Sequence, residues 1–133
     1  MLTFVNHWTE QRRGALVYLS GNRSLPGLLA DSTRMVMADG RPADLAKDYS
    51  CDFMPVVSEA YGKFFTGKPG SVPNAAQTAR FRAFAAEAHR RGVRLWASPD
   101  DEATRRTLLD NGADLLSADD LPRLRDFLLK EAR

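Results

Sequence analysis

The sequence predicts an α/β fold made of parallel βα units. Short apolar, β-favouring runs recur along the chain, and in its second half they alternate with well-capped helical segments. The connections there are short, which is the pattern of parallel strands covered by helices. The length of 133 residues amounts to a single domain able to bury a core, spanning residues 1–133.

ALVYLSGN (15–22) reads as a buried strand ending in a Gly-Asn turn. RMVMADG (34–40) reads as a second strand with a polar turn at its end. FMPVVS (53–58) is a weaker third, because Pro55 removes a ladder donor. Asn74 with Gln77 forms a capping-box pattern and opens a helix to Arg91, stopped by Gly92 at C′. Phe81, Phe84, Ala85 and Ala88 form its buried stripe, with Arg80, Arg82, Glu87 and Arg90 toward solvent. VRLWAS (93–98) is the fourth strand. Ser98 then reads as a cap, with Pro99 at the first helical position and Asp101 near the positive end, for a helix ending at Asn111-Gly112. ADLLSADD (113–120) is the last strand. Asp119 or Asp120 caps a final helix with Leu121, Leu124, Phe127 and Leu128 facing inward.

Composition narrows the function classes. Hydrophobic content is 44%, charged content 27% and net charge +2, with basic residues interleaved among acidic ones, so no nucleic-acid groove is indicated. Cys51 is the single cysteine, which excludes an internal disulfide and a cysteine metal cluster. No apolar run approaches the ~20 residues of a membrane span, and MLTFVNHWTEQRR lacks the features of a signal peptide. Localisation is left open.

The informative stretch is VRLWASPDD. Strand alternation puts Arg94, Trp96 and Ser98 on one face and Leu95 and Ala97 on the other. The apolar pair suits the layer under the helices. Arg94 and Trp96 suit either a pocket wall at the strand's C-terminal end, where parallel α/β folds place ligands, or a core tryptophan beside a snorkelling arginine.

VRLWASPDD followed by a helix, and then NGADLLSADDLPRLRDFL, resembles the end of the glycerophosphodiester phosphodiesterases and their phosphatidylinositol-specific phospholipase C-like relatives. In that family the penultimate barrel strand carries V-x-x-W-T/A-x-N/D, matched by Val93, Trp96, Ala97 and Asp100. The last strand reads G-V-D-x-I-x-T-D, matched in pattern by Gly112, Ala113, Asp114, Leu116, Ser117 and Asp119. Upstream, LVYLSGNR and VMADGRPADL resemble earlier strands of the phospholipase-like branch. The resemblance runs from Ala15 to Leu129 and is most specific in the last third.

It implies the C-terminal half of an eight-stranded β/α (TIM) barrel, a fold of ~250 residues. An open flavodoxin-like sheet is the alternative. The family's catalytic His-Arg pair, Glu-x-Asp motif and second histidine have no counterparts here. His7 precedes Trp8 with no E-x-D after it, and His89 in AEAHRRG reads as a helix-end residue. No catalytic residue and no metal ligand are therefore expected in this chain, although the complete family barrel implies Ca²⁺ or Mg²⁺.

What remains is the substrate-side wall: Ser20, Asn22, Asp39, Arg41, Arg94, Trp96 and Asp119. The resemblance implies phosphate contact by Arg94, packing of the glycerol or inositol moiety on Trp96, and orientation of a hydroxyl or water by Asp39. Each also has a plainer role: Asp39-Gly40 as a turn, Asp119 as a helix cap, Arg94 as the partner of a carboxylate such as Asp39.

Two functions follow. One is the substrate-side portion of a phosphoric diester hydrolase, inactive alone. The other is a non-catalytic α/β module binding a phosphorylated small molecule. The expected partners are a phosphodiester or phosphorylated small molecule, and either a missing N-terminal half or a second copy pairing at the sheet edges.

Overall fold

The computed structural model describes residues 17–88 and 90–132. Among the described residues, four parallel strands form one sheet in sequential order: β1 (Tyr18–Leu19), β2 (Met37–Gly40), β3 (Val56–Ala60) and β4 (Gly92–Trp96). Helices α1 (Leu25–Ala30), α2 (Ala75–Ala88), α3 (Glu102–Asp110) and α4 (Leu121–Glu131) alternate with them, and 3₁₀ turns follow β2 (Pro42–Asp44) and β3 (Tyr61–Lys63). The parallel α/β architecture expected from the sequence is thus present.

Register divides the side chains. Val57 pairs with Val93 and Ser58 with Arg94, so Val57, Val93 and Leu95 share one face. There they join Phe81 and Phe84 of α2, Leu108 of α3, Phe65, Ala88 and Ala113 in the main core. A smaller cluster of Ala38, Phe53 and Met54 sits against Leu25 and Leu28 of α1. Phe127 of α4 is buried, with the Arg105 and Arg106 guanidiniums over its ring.

Several boundaries differ from the sequence reading. The Asn74–Gln77 capping box forms as expected, each backbone amide donating to the other side chain at 3.0 and 2.9 Å. Gly92, however, is not the helix C′ residue. It is the first residue of β4 and donates to the Pro55 carbonyl, while Arg90 carries the left-handed conformation (φ 65°). Asp39-Gly40 is strand, not turn. Gly40 is required by close approach, since a Cβ there would lie 2.6 Å from Met54 Sδ.

β4 also ends before Ala97, whose left-handed φ of 53° takes it out of the strand and leaves it exposed, not under the helices. The next helix is capped by Asp101 in place of Ser98: Asp101 accepts from the Thr104 amide and hydroxyl at 2.9 and 2.8 Å. Asn111 and Gly112 (φ 106°) end it as expected.

The run 113–120 contributes only one parallel bridge, Leu115 to Arg94. Asp114 explains this, because its carboxylate takes the Val93 amide (2.9 Å) that a strand carbonyl would otherwise accept. Asp120, not Asp119, caps α4. Of that helix's expected inward residues, Phe127 is buried and Leu124 partly so, but Leu121 and Leu128 are exposed because α4 packs along one narrow stripe. The start of the first predicted strand (15–16), His7, His89 and the N-terminal stretch lie outside the described residues. Among the described residues no helix is long and apolar enough to cross a membrane.

Candidate functional site

The face of the sheet opposite the main core carries polar side chains at its C-terminal end. Asp39 on β2, Ser58 on β3 and Arg94 on β4 share it, and Ser20 and Arg41 flank β1 and β2. Parallel strands ending side by side bring these residues together although the chain separates them widely.

Asp39 is the hub. Its side chain is nearly inaccessible, so its charge requires partners. Oδ1 accepts from Ser58 Oγ. Oδ2 accepts from Ser20 Oγ at 2.7 Å, Arg94 Nη2 at 3.1 Å and Arg41 Nη1 at 3.4 Å. Arg94 also donates from Nε to Ser58 Oγ at 3.2 Å. The plainer role expected of Arg94, neutralising Asp39, is therefore realised. Its guanidinium does not snorkel away from the sheet but stays anchored at two atoms.

A second pair buttresses the hub. Arg23 donates from Nη1 to the Asp39 carbonyl (2.6 Å) and to Asp44 Oδ2 (2.8 Å). Asp44 also accepts from the Arg41 amide at 2.9 Å, closing the turn after β2. Burial opposes the charged form of Asp44. Even so, the hydrogen bonds from Arg23 and the Arg41 amide, with the charges of Arg23 and Lys47, hold its carboxyl below the usual carboxylate range. Three guanidiniums thus face two carboxylates, leaving an excess of positive charge. The side chains of Arg41 and Arg94 keep 30% and 32% of their surface open to solvent, enough to meet a ligand.

Of the seven residues singled out in the sequence, Ser20, Asp39, Arg41 and Arg94 come together. Trp96 lies beyond Arg94 on the same strand and is 44% exposed, free to pack against a ligand. Asn22 sits in the turn that Gly21 (φ 74°) permits and is exposed; its neighbour Arg23 reaches the cluster instead. Asp119 is exposed and belongs to a different network. Its amide, with that of Asp120, donates to Asp100 Oδ2 at 3.1 and 3.0 Å.

Arg23, Asp44 and Ser58 were missed in the sequence. Ser58 had one signal, as the polar residue closing an apolar strand. Asp44 had another, three residues after Arg41 at a turn.

The donor set does not suit Ca²⁺ or Mg²⁺. Both oxygens of Asp39 and one of Asp44 are already engaged by hydroxyl, amide or arginine donors, and the surrounding charge is positive. The arrangement is chemically suited to an anion. Compared with known proteins, the chain matches no family model, no curated protein and no solved structure.

Proposed function

We propose that this chain holds the phosphate of a phosphorylated small molecule at the C-terminal ends of its strands, as the substrate-side portion of a phosphodiester-hydrolase-type β/α barrel, and does not itself cleave it. One observation carries the binding reading: Ser20 just after β1, Arg41 just after β2 and Arg94 within β4 all donate to the same oxygen, Asp39 Oδ2. Donors converging in this way form a place built for anionic oxygen, and arginine is the side chain best matched to phosphate.

The sequential strand order supports a barrel-type winding over a flavodoxin-like sheet, where strand order reverses. The sequence resemblance of VRLWASPDD and NGADLLSADD supports the phosphodiester class. The sequence has no counterpart to the family's catalytic His-Arg pair after the first strand and no Glu-x-Asp motif, which supports binding without cleavage.

Isothermal titration with glycerol 3-phosphate and glycerophosphocholine, beside a diesterase assay with Ca²⁺ or Mg²⁺, tests both parts. Binding that weakens with added salt, and no turnover, is expected. Absence of binding overturns the first part. Metal-dependent turnover abolished by His7→Ala or Asp39→Ala overturns the second.

A further inference from the structure

Building on the phosphate-binding reading, we infer that Asp39 is an internal competitor for the anion site, and that Arg41 is the arm that passes from Asp39 to the ligand while Arg94 stays in place. The donors an incoming phosphate would need, Ser20, Arg41 and Arg94, are already engaged by the protein's own carboxylate at Asp39 Oδ2.

The arginines are held very unequally. Arg94 is fixed at two atoms, on Asp39 and on fully buried Ser58. Arg23 is tied to Asp44 and to the Asp39 carbonyl, with 12% of its side chain exposed. Arg41 donates to Asp39 through a single long hydrogen bond of 3.4 Å, the weakest of the three, and 30% of its side chain is open. Its backbone is pinned independently by the Asp44 carboxylate. The guanidinium is thus able to swing away without moving the chain.

A ligand gains Arg41 only by displacing it from Asp39, and it meets the repulsion of that carboxylate as it arrives. The parent protein therefore binds more weakly than its donors allow, by the fraction of molecules in which Arg41 is disengaged. Removing the charge at Asp39 removes both obstacles.

The test is a calorimetric titration of glycerol 3-phosphate into the parent chain, Asp39→Asn and Arg41→Ala, with thermal melts of each. Asp39→Asn is expected to bind roughly tenfold tighter or more, since a like charge facing the ligand is gone, despite a lower melting temperature. Arg41→Ala is expected to bind roughly tenfold weaker with little change in melting. If the parent binds and Asp39→Asn binds no better, the competitor role is overturned and the phosphate reading stands. If neither binds, both are overturned. Should Asp39→Asn fail to fold, Arg41→Ala decides: affinity equal to the parent's overturns the inference.

Discussion

The two faces of β4 differ in kind. On one, Val93 and Leu95 are sealed under α2 and α3 by Phe81, Phe84 and Leu108. On the other, Arg94 is bound to Asp39 and Ser58, and Trp96 stands nearly half exposed. The first face is held by non-directional apolar burial, which accepts volume-conserving apolar replacements but not charge. The second is held by directed, charge-assisted hydrogen bonds, which fix geometry but leave surface for a ligand. Stability should therefore reside mainly on the helix side, and binding on the other.

Leu95→Asp should break the comparison most severely. It puts a charge into the helix–sheet layer and should cost at least about 4 kcal/mol, or prevent folding. Urea denaturation checks it; a variant as stable as the parent would mean the helix layer is not where the energy lies.

Arg94→Ala probes the opposite face. It strands Asp39 with weaker partners, yet the arginine is a third exposed. The expected loss is smaller, about 2 kcal/mol, with phosphate binding abolished.

Acid should act through the polar side of the chain. Asp44 titrates below its unfolded value, as described. At Asp100 the Asp120 amide lowers the carboxyl, aided by Arg105 and the Asp119 amide against the opposing effect of burial. For depressed carboxyls the stabilisation is complete above the unfolded value of about 3.9 and disappears as pH falls through the lower folded values. Melting temperature followed downward from about pH 6 should hold steady and then drop below about pH 4. Asp44→Asn should flatten part of that drop.

Ala97→Gly should stabilise by up to about 1 kcal/mol, because it relieves a left-handed alanine just after the strand. Leu121→Ser, on the exposed stripe of α4, should change stability by less than about 0.5 kcal/mol.

Much of the fold was legible because its signals are local. The Asn74–Gln77 box, the Phe81–Phe84–Ala88 stripe and the Asn111-Gly112 stop are each encoded within a few residues. The polarity split between Leu95 and Arg94 was legible for the same reason. Ser98-Pro99-Asp100-Asp101 offered two possible caps, and Asp101 prevails because Thr104 stands three residues on to be held by it. The final strand was over-read because its shortening depends on a long-range contact, Asp114 to the Val93 amide.

The site shows the same division. Ser20, Asp39, Arg41 and Arg94 were legible as polar residues near strand ends. Arg23 and Ser58 gain their roles, and Asp44 its arginine partner, only when β1, β2 and β3 lie side by side. Asp119 looked like a site residue from its motif, but its backbone is drawn to Asp100.

The most direct measurement is an NMR titration of the labelled chain with glycerol 3-phosphate, following backbone amides and arginine Nε–H signals. Saturable shifts centred on Ser20, Asp39, Arg41, Ser58 and Arg94, with the arginine side-chain signals moving most, are expected. Shifts centred instead on the depression lined by Ser32, Arg34 and Asp52, or no saturable shifts at all, would contradict an anion site at the strand ends.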